Sequence, residues 1–195
     1  MTSTKHAGLR GPRPALPGQN GSTAPDLSSM IRVDHAGEFG AVRIYQGQLG
    51  VLERKGADRE SLEAIRHMAA QEAAHFDTFE KMIKDRAVRP TALAPLWSIA
   101  GYALGAATAL MGEKAAMACT VAVEDAIDEH YSRQLETLGD MDPELKKTVV
   151  RFHAEECAHR DEALARGAEQ APGYAFLSAA IRFSCRMAIG LSERF

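Results

Sequence analysis

Glu72-Ala73-Ala74-His75 and Glu156-Cys157-Ala158-His159 are the two stretches whose reading decides the fold of this chain. Each is a Glu-x-x-His pair, and each follows a lone glutamate at a nearly equal distance. Glu38 stands 34 residues before Glu72, and Glu124 stands 32 residues before Glu156. Residues three apart on an α-helix share a face, so each pair presents a carboxylate and an imidazole together. Sixteen Glu and seven His in 195 residues would give roughly 0.6 such pairs by chance, so a single pair carries little weight. Two pairs with matched upstream glutamates carry much more. Four carboxylates and two imidazoles on four helices are the donors with which a bundle holds two transition-metal ions.

The residues around each pair support that reading. Ile65, Met68, Glu72, His75, Phe79 and Met82 fall at helical steps of three and four, as do Leu145, Val149, Phe152, Glu156, His159 and Ala163. Glu38 lies in line with Ile31, Asp34, Val42, Tyr45 and Leu49, and Glu124 with Met117, Val121, Ile127, Asp128, Tyr131 and Leu135. A charged residue on an apolar stripe is costly to bury unless something compensates it. The expected organisation is two helical hairpins, about 30–86 and 113–168, forming an internal repeat within one domain over 28–195. Ser28 or Ser29 is the predicted cap of the first helix, Lys55-Gly56 its stop, Asp58 the start of the second, and Asp142-Pro143 the start of a later one.

The bulk composition excludes several classes. The chain is 46% apolar and 25% charged, with a net charge of −3, and no predicted helix carries a basic stripe, so no nucleic-acid partner is expected. Cys119, Cys157 and Cys185 are odd in number and far apart, which gives no disulfide framework and suits a reducing compartment. Residues 1–25 hold Pro12, Pro14, Pro17 and Pro25 with four glycines, and lack both an acidic residue and an apolar run. They read as a disordered tail, residues 1–27, rather than a secretory signal. Lys5, Arg10 and Arg13 give only a faint transit-peptide character.

Thr91 to Gly112 is a 22-residue stretch without a charge. It is long enough to span a bilayer, but its alanines, glycines and threonines make it only mildly hydrophobic, and the hairpins must pair across it. An interfacial segment anchored by Trp97 and Tyr102 fits better, with a crossover buried against the bundle as the alternative. Tyr174 to Arg194 is amphipathic and is expected to pack on the bundle or share the membrane surface.

An oxygen-rich donor set with one imidazole per metal favours iron or manganese over zinc. Four ionised carboxylates balance two divalent ions, and such a pair can deliver two electrons to O2. Ligating imidazoles usually donate their other N–H to a carboxylate, and Asp34 and Asp128 are the candidate partners. Tyr131, two turns beyond Glu124, is a candidate hydrogen donor or relay at the site. His35, His67 and His153 read as surface or satisfied histidines. No Gly-rich nucleotide loop is present.

Ile31-Arg32-Val33-Asp34-His35-Ala36-Gly37-Glu38, Arg89-Pro90-Thr91 with Pro95-Leu96-Trp97, Ala118-Cys119-Thr120-Val121-Ala122-Val123-Glu124 and Leu191-Ser192-Glu193-Arg194 carry a further signal. Through them, residues 29 to 195 resemble the 5-demethoxyubiquinone hydroxylases, the di-iron monooxygenases of ubiquinone biosynthesis. The resemblance implies an all-α, ferritin-like four-helix bundle with a long hydrophobic crossover and a C-terminal amphipathic helix. It implies two Fe ions on Glu38, Glu72, His75, Glu124, Glu156 and His159, with Glu72 and Glu156 bridging. Hydroxylation of a polyprenyl demethoxyquinone ring follows, with O2 as oxidant and NADH as a candidate reductant. Attachment through 91–112 and 174–191 would be peripheral, on the cytoplasmic face of a bacterial inner membrane or the matrix side of the mitochondrial one. Other ubiquinone-biosynthesis proteins and a second copy of the chain are the candidate protein partners. Iron oxidation or peroxide scavenging on a ferritin- or rubrerythrin-like bundle is the alternative. Gly190 stands where family members often carry a tyrosine, which leaves the electron route open.

Overall fold

The computed structural model describes residues 26–195. The expected tail, 1–27, lies outside them except for its last two residues, Asp26 and Leu27, which cap and open the first helix. Asp26, not Ser28 or Ser29, is the N-cap: its carboxylate accepts from the Ser28 backbone N–H at 3.0 Å. All three residues are good caps by type, and position along the fold decides between them.

Six α-helices follow in order: α1 Leu27–Lys55, α2 Arg59–Asp85, α3 Ala94–Met111, α4 Glu113–Leu138, α5 Pro143–Ala165 and α6 Tyr174–Ser192, with a single 3₁₀ turn at Ala168–Gln170 before α6. Asp58 caps α2 and Asp142 caps α5, with Pro143 in its first turn, as the sequence predicts. The uncharged stretch is mostly helical. Gly112, with φ +119°, is the one residue between α3 and α4, and that backbone conformation is open to glycine.

α1 and α4 run antiparallel, with Asp34 beside His130 and Gln48 beside Ala116. α2 and α5 also run antiparallel, with Phe79 against Phe152 and Gln71 against His159. These four helices form the bundle, with Ile65, Met68, Phe79, Met117, Tyr131, Leu145 and Phe152 deep in its core.

The third helix of each half lies parallel to its first. Gly101 of α3 approaches Gly40, and Gly105 approaches Ile44. On the other side Arg182 and Arg186 of α6 meet Asp125 and Glu129 of α4. By length and composition alone, both α3 and α6 could cross a membrane. Here each lies along the bundle with an outward apolar face, including Ile99 at 71% exposed and Phe176 at 83%.

The motifs at the helix ends meet at one corner. Arg32 donates to the Arg89 carbonyl at 2.9 Å and to the Glu193 carbonyl at 3.4 Å. The Trp97 indole N–H donates to the Ser192 hydroxyl at 3.0 Å, and Ala92 N–H to the Phe195 carbonyl at 2.9 Å.

Candidate metal centre

The antiparallel pairing brings all six candidate donors into one layer of the bundle. None of Glu38, Glu72, His75, Glu124, Glu156 and His159 is more than 4% exposed. They fall into two overlapping sets, Glu38–Glu72–His75–Glu156 and Glu72–Glu124–Glu156–His159, each with its four donor atoms within 4.8 Å of one another. Glu72 and Glu156 belong to both sets, the arrangement two bridging carboxylates require. Both rings turn Nδ1 inward: His75 Nδ1 is 2.9 Å from Glu156 Oε1, and His159 Nδ1 is 3.1 Å from Glu72 Oε1.

Burial drives the carboxyls of Glu38, Glu72 and Glu124 above the usual range, and their mutual repulsion with Glu156 adds to it. Burial also opposes the charge on Glu156, but the adjacent His159 and His75 rings outweigh it and hold Glu156 down at about 2. Burial would lower His75, yet Glu156 and Glu38 beside it hold it up at about 10. Glu72 Oε1 and His75 Nδ1 make no well-aligned hydrogen bond although both are buried. The donors converge on one another, with His159 Nδ1 also 3.0 Å from Glu156 Oε2. A buried set of four carboxylates and two imidazoles with that geometry fits two divalent cations.

A ring of outer residues orients the donors. Tyr131 donates its hydroxyl hydrogen to Glu38, and Tyr45 donates to Glu124 at 3.1 Å. Each tyrosine lies two turns beyond one terminal glutamate and reaches the other. Burial, then the facing carboxylates, raises both phenols well above their ordinary value, so they remain O–H donors.

Asp34 and Asp128 do not serve the ligand imidazoles. Asp34 accepts from His130 at 2.8 Å and from Gln134 at 2.7 Å, while Asp128 pairs with His153 at 2.5 Å and Arg160 at 3.0 Å. The far nitrogens of the ligand rings instead meet Glu155 and Gln71, at 2.5 Å from His75 Nε2 and 3.0 Å from His159 Nε2. Both partners immediately precede a glutamate common to the two donor sets, which is the signal the sequence offered for them. His35 is buried with Nε2 2.8 Å from Glu80, while its Nδ1 has no partner among the described residues, and His67 is exposed. Asp128, His153 and Cys157 form a further, half-buried donor group on α4 and α5, but Arg160 already compensates Asp128.

An apolar groove of about 300 Å3 runs over the α1–α4 seam that bears Glu38 and Glu124. Gly37, Ala41, Val123 and Ile127 floor it, Trp97 lines it from α3, and Cys185 lines it from α6.

Residues 25–192 match the family model described as ubiquinone biosynthesis protein COQ7. A 3-demethoxyubiquinol 3-hydroxylase of Rhodospirillum rubrum is 54% identical over 92% of this chain and 82% of its own. The NADPH-dependent 3-demethoxyubiquinone 3-hydroxylase, mitochondrial, of Homo sapiens is 48% identical over 86% of this chain and 77% of its own. The 5-demethoxyubiquinone hydroxylase, mitochondrial, of Saccharomyces cerevisiae is 36% identical over 99% of this chain and 88% of its own. A family match over nearly the whole bundle, with relatives at these identities, identifies the chain as a member of the ubiquinone biosynthesis protein COQ7 family.

Proposed function

We propose that this chain hydroxylates the ring of a demethoxyubiquinone or its quinol with O2, using two iron ions held by Glu38, Glu72, His75, Glu124, Glu156 and His159. One observation carries the reading: two donor sets share Glu72 and Glu156 in the bundle core, and Gly37 and Val123, the chain neighbours of Glu38 and Glu124, line an apolar groove. Two iron ions in those sets would supply the two-electron activation of O2 that a ring hydroxylation needs.

The protein's own residues do the rest. Small side chains at Gly37 and Ala41 leave room for a flat ring above the α1–α4 seam, and the apolar lining excludes water from it. Tyr131 and Tyr45 each donate a hydroxyl hydrogen bond to one terminal carboxylate, Glu38 and Glu124 respectively. That hydrogen bond occupies a carboxylate lone pair and fixes the rotation of the carboxylate. Tyr131 is the nearer candidate for relaying a proton, because its ring also adjoins His130 and His153 towards the surface.

The outward faces of α3 and α6, with Ile99, Leu110, Phe176 and Phe183 exposed, support peripheral seating on the membrane that dissolves the polyprenyl tail. The bacterial relative favours the cytoplasmic face of a bacterial inner membrane. The relatives named mitochondrial keep the matrix side of that organelle's inner membrane as the alternative. A reduced nicotinamide nucleotide is the proposed reductant; the human relative's name specifies NADPH where the resemblance implied NADH.

The test is anaerobic reconstitution with Fe(II), then addition of O2, a reduced nicotinamide and a demethoxyquinone, with the product read by mass. The expected product carries one added oxygen, and Glu156→Ala abolishes both its formation and iron retention. Fe(II) oxidation that builds a mineral and leaves the quinone untouched would favour the ferritin-like alternative instead.

A further inference from the structure

We propose that the two metal positions are chemically unequal, with the position on Glu38 and His75 the stronger, because the ring of His75 leans on a carboxylate and that of His159 on an amide. The proposal rests on the two-metal reading of the site.

The two halves match in every donor. Each gives one terminal glutamate, one bridging glutamate, one histidine ligating through Nδ1, and one tyrosine hydrogen-bonded to the other half's terminal glutamate. They part at the residue just before the bridging glutamate, which is Gln71 in the first half and Glu155 in the second. Each of these reaches across to the histidine of the opposite half. Glu155 Oε2 lies 2.5 Å from His75 Nε2, and Gln71 Oε1 lies 3.0 Å from His159 Nε2.

With Nδ1 facing the metal, Nε2 carries the hydrogen in both rings, so both outer residues act as acceptors. A charged acceptor takes a shorter and stronger hydrogen bond than a neutral one, and the two distances differ in that sense. Drawing the N–H hydrogen towards a carboxylate leaves more electron density on Nδ1 and makes the ring a better donor to a cation. A carbonyl of an amide does this less. Solvent and Arg151 moderate the effect, since the Glu155 side chain is 33% exposed and its other oxygen is 3.9 Å from the Arg151 guanidinium. Loss of such an outer partner usually lowers metal affinity by roughly 10- to 100-fold. A carboxylate replaced by an amide of the same shape keeps the hydrogen bond and removes only its charge, so the lower end of that range is expected.

Glu155→Gln gives both rings an amide, and Gln71→Glu gives both a carboxylate. The experiment is an anaerobic Co(II) titration of the metal-free chain, followed by calorimetry and by the visible absorption of the bound ion. The wild type should load two Co(II) in two resolved steps. Glu155→Gln should weaken the tighter step by about tenfold and draw the two together. Gln71→Glu should instead strengthen the weaker step. Equal steps in the wild type that neither substitution moves would overturn the inequality. So would a Glu155→Gln variant that weakens both steps by one factor, since that is a loosened bundle. Binding of fewer than two Co(II) in the wild type would overturn the two-metal reading and this proposal together.

Discussion

In each half of the molecule the third helix lies parallel to the first, but the two pairs are fastened by opposite means. α3 is pressed against α1 backbone to backbone. A Cβ built on Gly105 would stand 1.9 Å from the Ile44 carbonyl oxygen, and one on Gly47 would stand 2.2 Å from the Tyr102 carbonyl oxygen. α6 is hung on α4 by ion pairs at the surface, Arg182 to Asp125 at 3.0 Å and Arg186 to Glu129 at 2.7 Å, with Ile181 beneath them. Close backbone packing tolerates almost no displacement, whereas exposed ion pairs bind weakly and yield easily. Both helices wall the apolar groove. The groove therefore has one side fastened by backbone contact and one fastened by surface ion pairs.

The largest effect should come from removing what the halves share. Metal at a thousandfold excess over its dissociation constant stabilises by about 4 kcal/mol, and chelation should lower Tm accordingly. The metal-free chain should also lose stability as pH rises. Carboxyls raised by folding, as Glu38, Glu72 and Glu124 are, stabilise fully below the ordinary carboxylate pKa and lose that contribution as pH climbs through their raised values. His75, raised to about 10, stabilises fully below its ordinary value of about 6.5 and loses its contribution towards 10. Glu156, lowered to about 2, matters only in acid. Tm of the chelated protein should therefore fall as pH climbs from about 6.5 towards 10. The metal-loaded protein should hold steady, because ligation itself demands deprotonated carboxylates. A chelated protein that gains stability over that interval would contradict this charge balance.

Next comes the contrast between the third helices. Gly105→Ala should cost about 3 kcal/mol by forcing α3 off α1. Gly190→Ala on α6 meets nothing within 4 Å and should gain roughly 0.5–1 kcal/mol of helix propensity. Denaturant midpoints for the pair measure it, and similar losses at both positions would mean α6 is as tightly held as α3.

Smaller still is the tyrosine pair. Tyr131→Phe and Tyr45→Phe should each cost roughly 1–2 kcal/mol by leaving a buried carboxylate oxygen without its donor. Only the first should also slow turnover at saturating quinone, if the relay runs through the His130 side. Equal kcat losses in both variants would reduce Tyr131 to the positioning role of Tyr45. Smallest is Arg182→Ala, which should change stability by less than about 1 kcal/mol while raising KM for the quinone. An unchanged KM would show that the α6 wall does not flex with the substrate.

The helices and the six candidate donors were legible because each rests on a local repeat: steps of three and four, and a matched spacing from lone glutamate to pair. Asp58 and Asp142-Pro143 were legible for the same reason, since a cap acts within three residues. The partners of Asp34 and Asp128 were not. Which histidine an aspartate meets depends on the register of one antiparallel helix against another, and no local spacing encodes that. Gln71 and Glu155 sit one residue off the apolar stripes, so no helical step singles them out, although both turn back onto the opposite half's imidazole. The parallel seating of α3 rests on Gly101 and Gly105, one turn apart, meeting Gly40 and Ile44 of α1, and no local spacing names those partners.

The crossed contacts of the centre have a consequence for how the molecule is assembled. Each half supplies the tyrosine that holds the other's terminal glutamate and the side chain that steadies the other's histidine, and each cluster of donors draws on both bridging carboxylates. Neither hairpin contains a complete cage for even one ion. If two ions load here, each binds across the boundary between the hairpins, so ion binding and hairpin docking would reinforce one another.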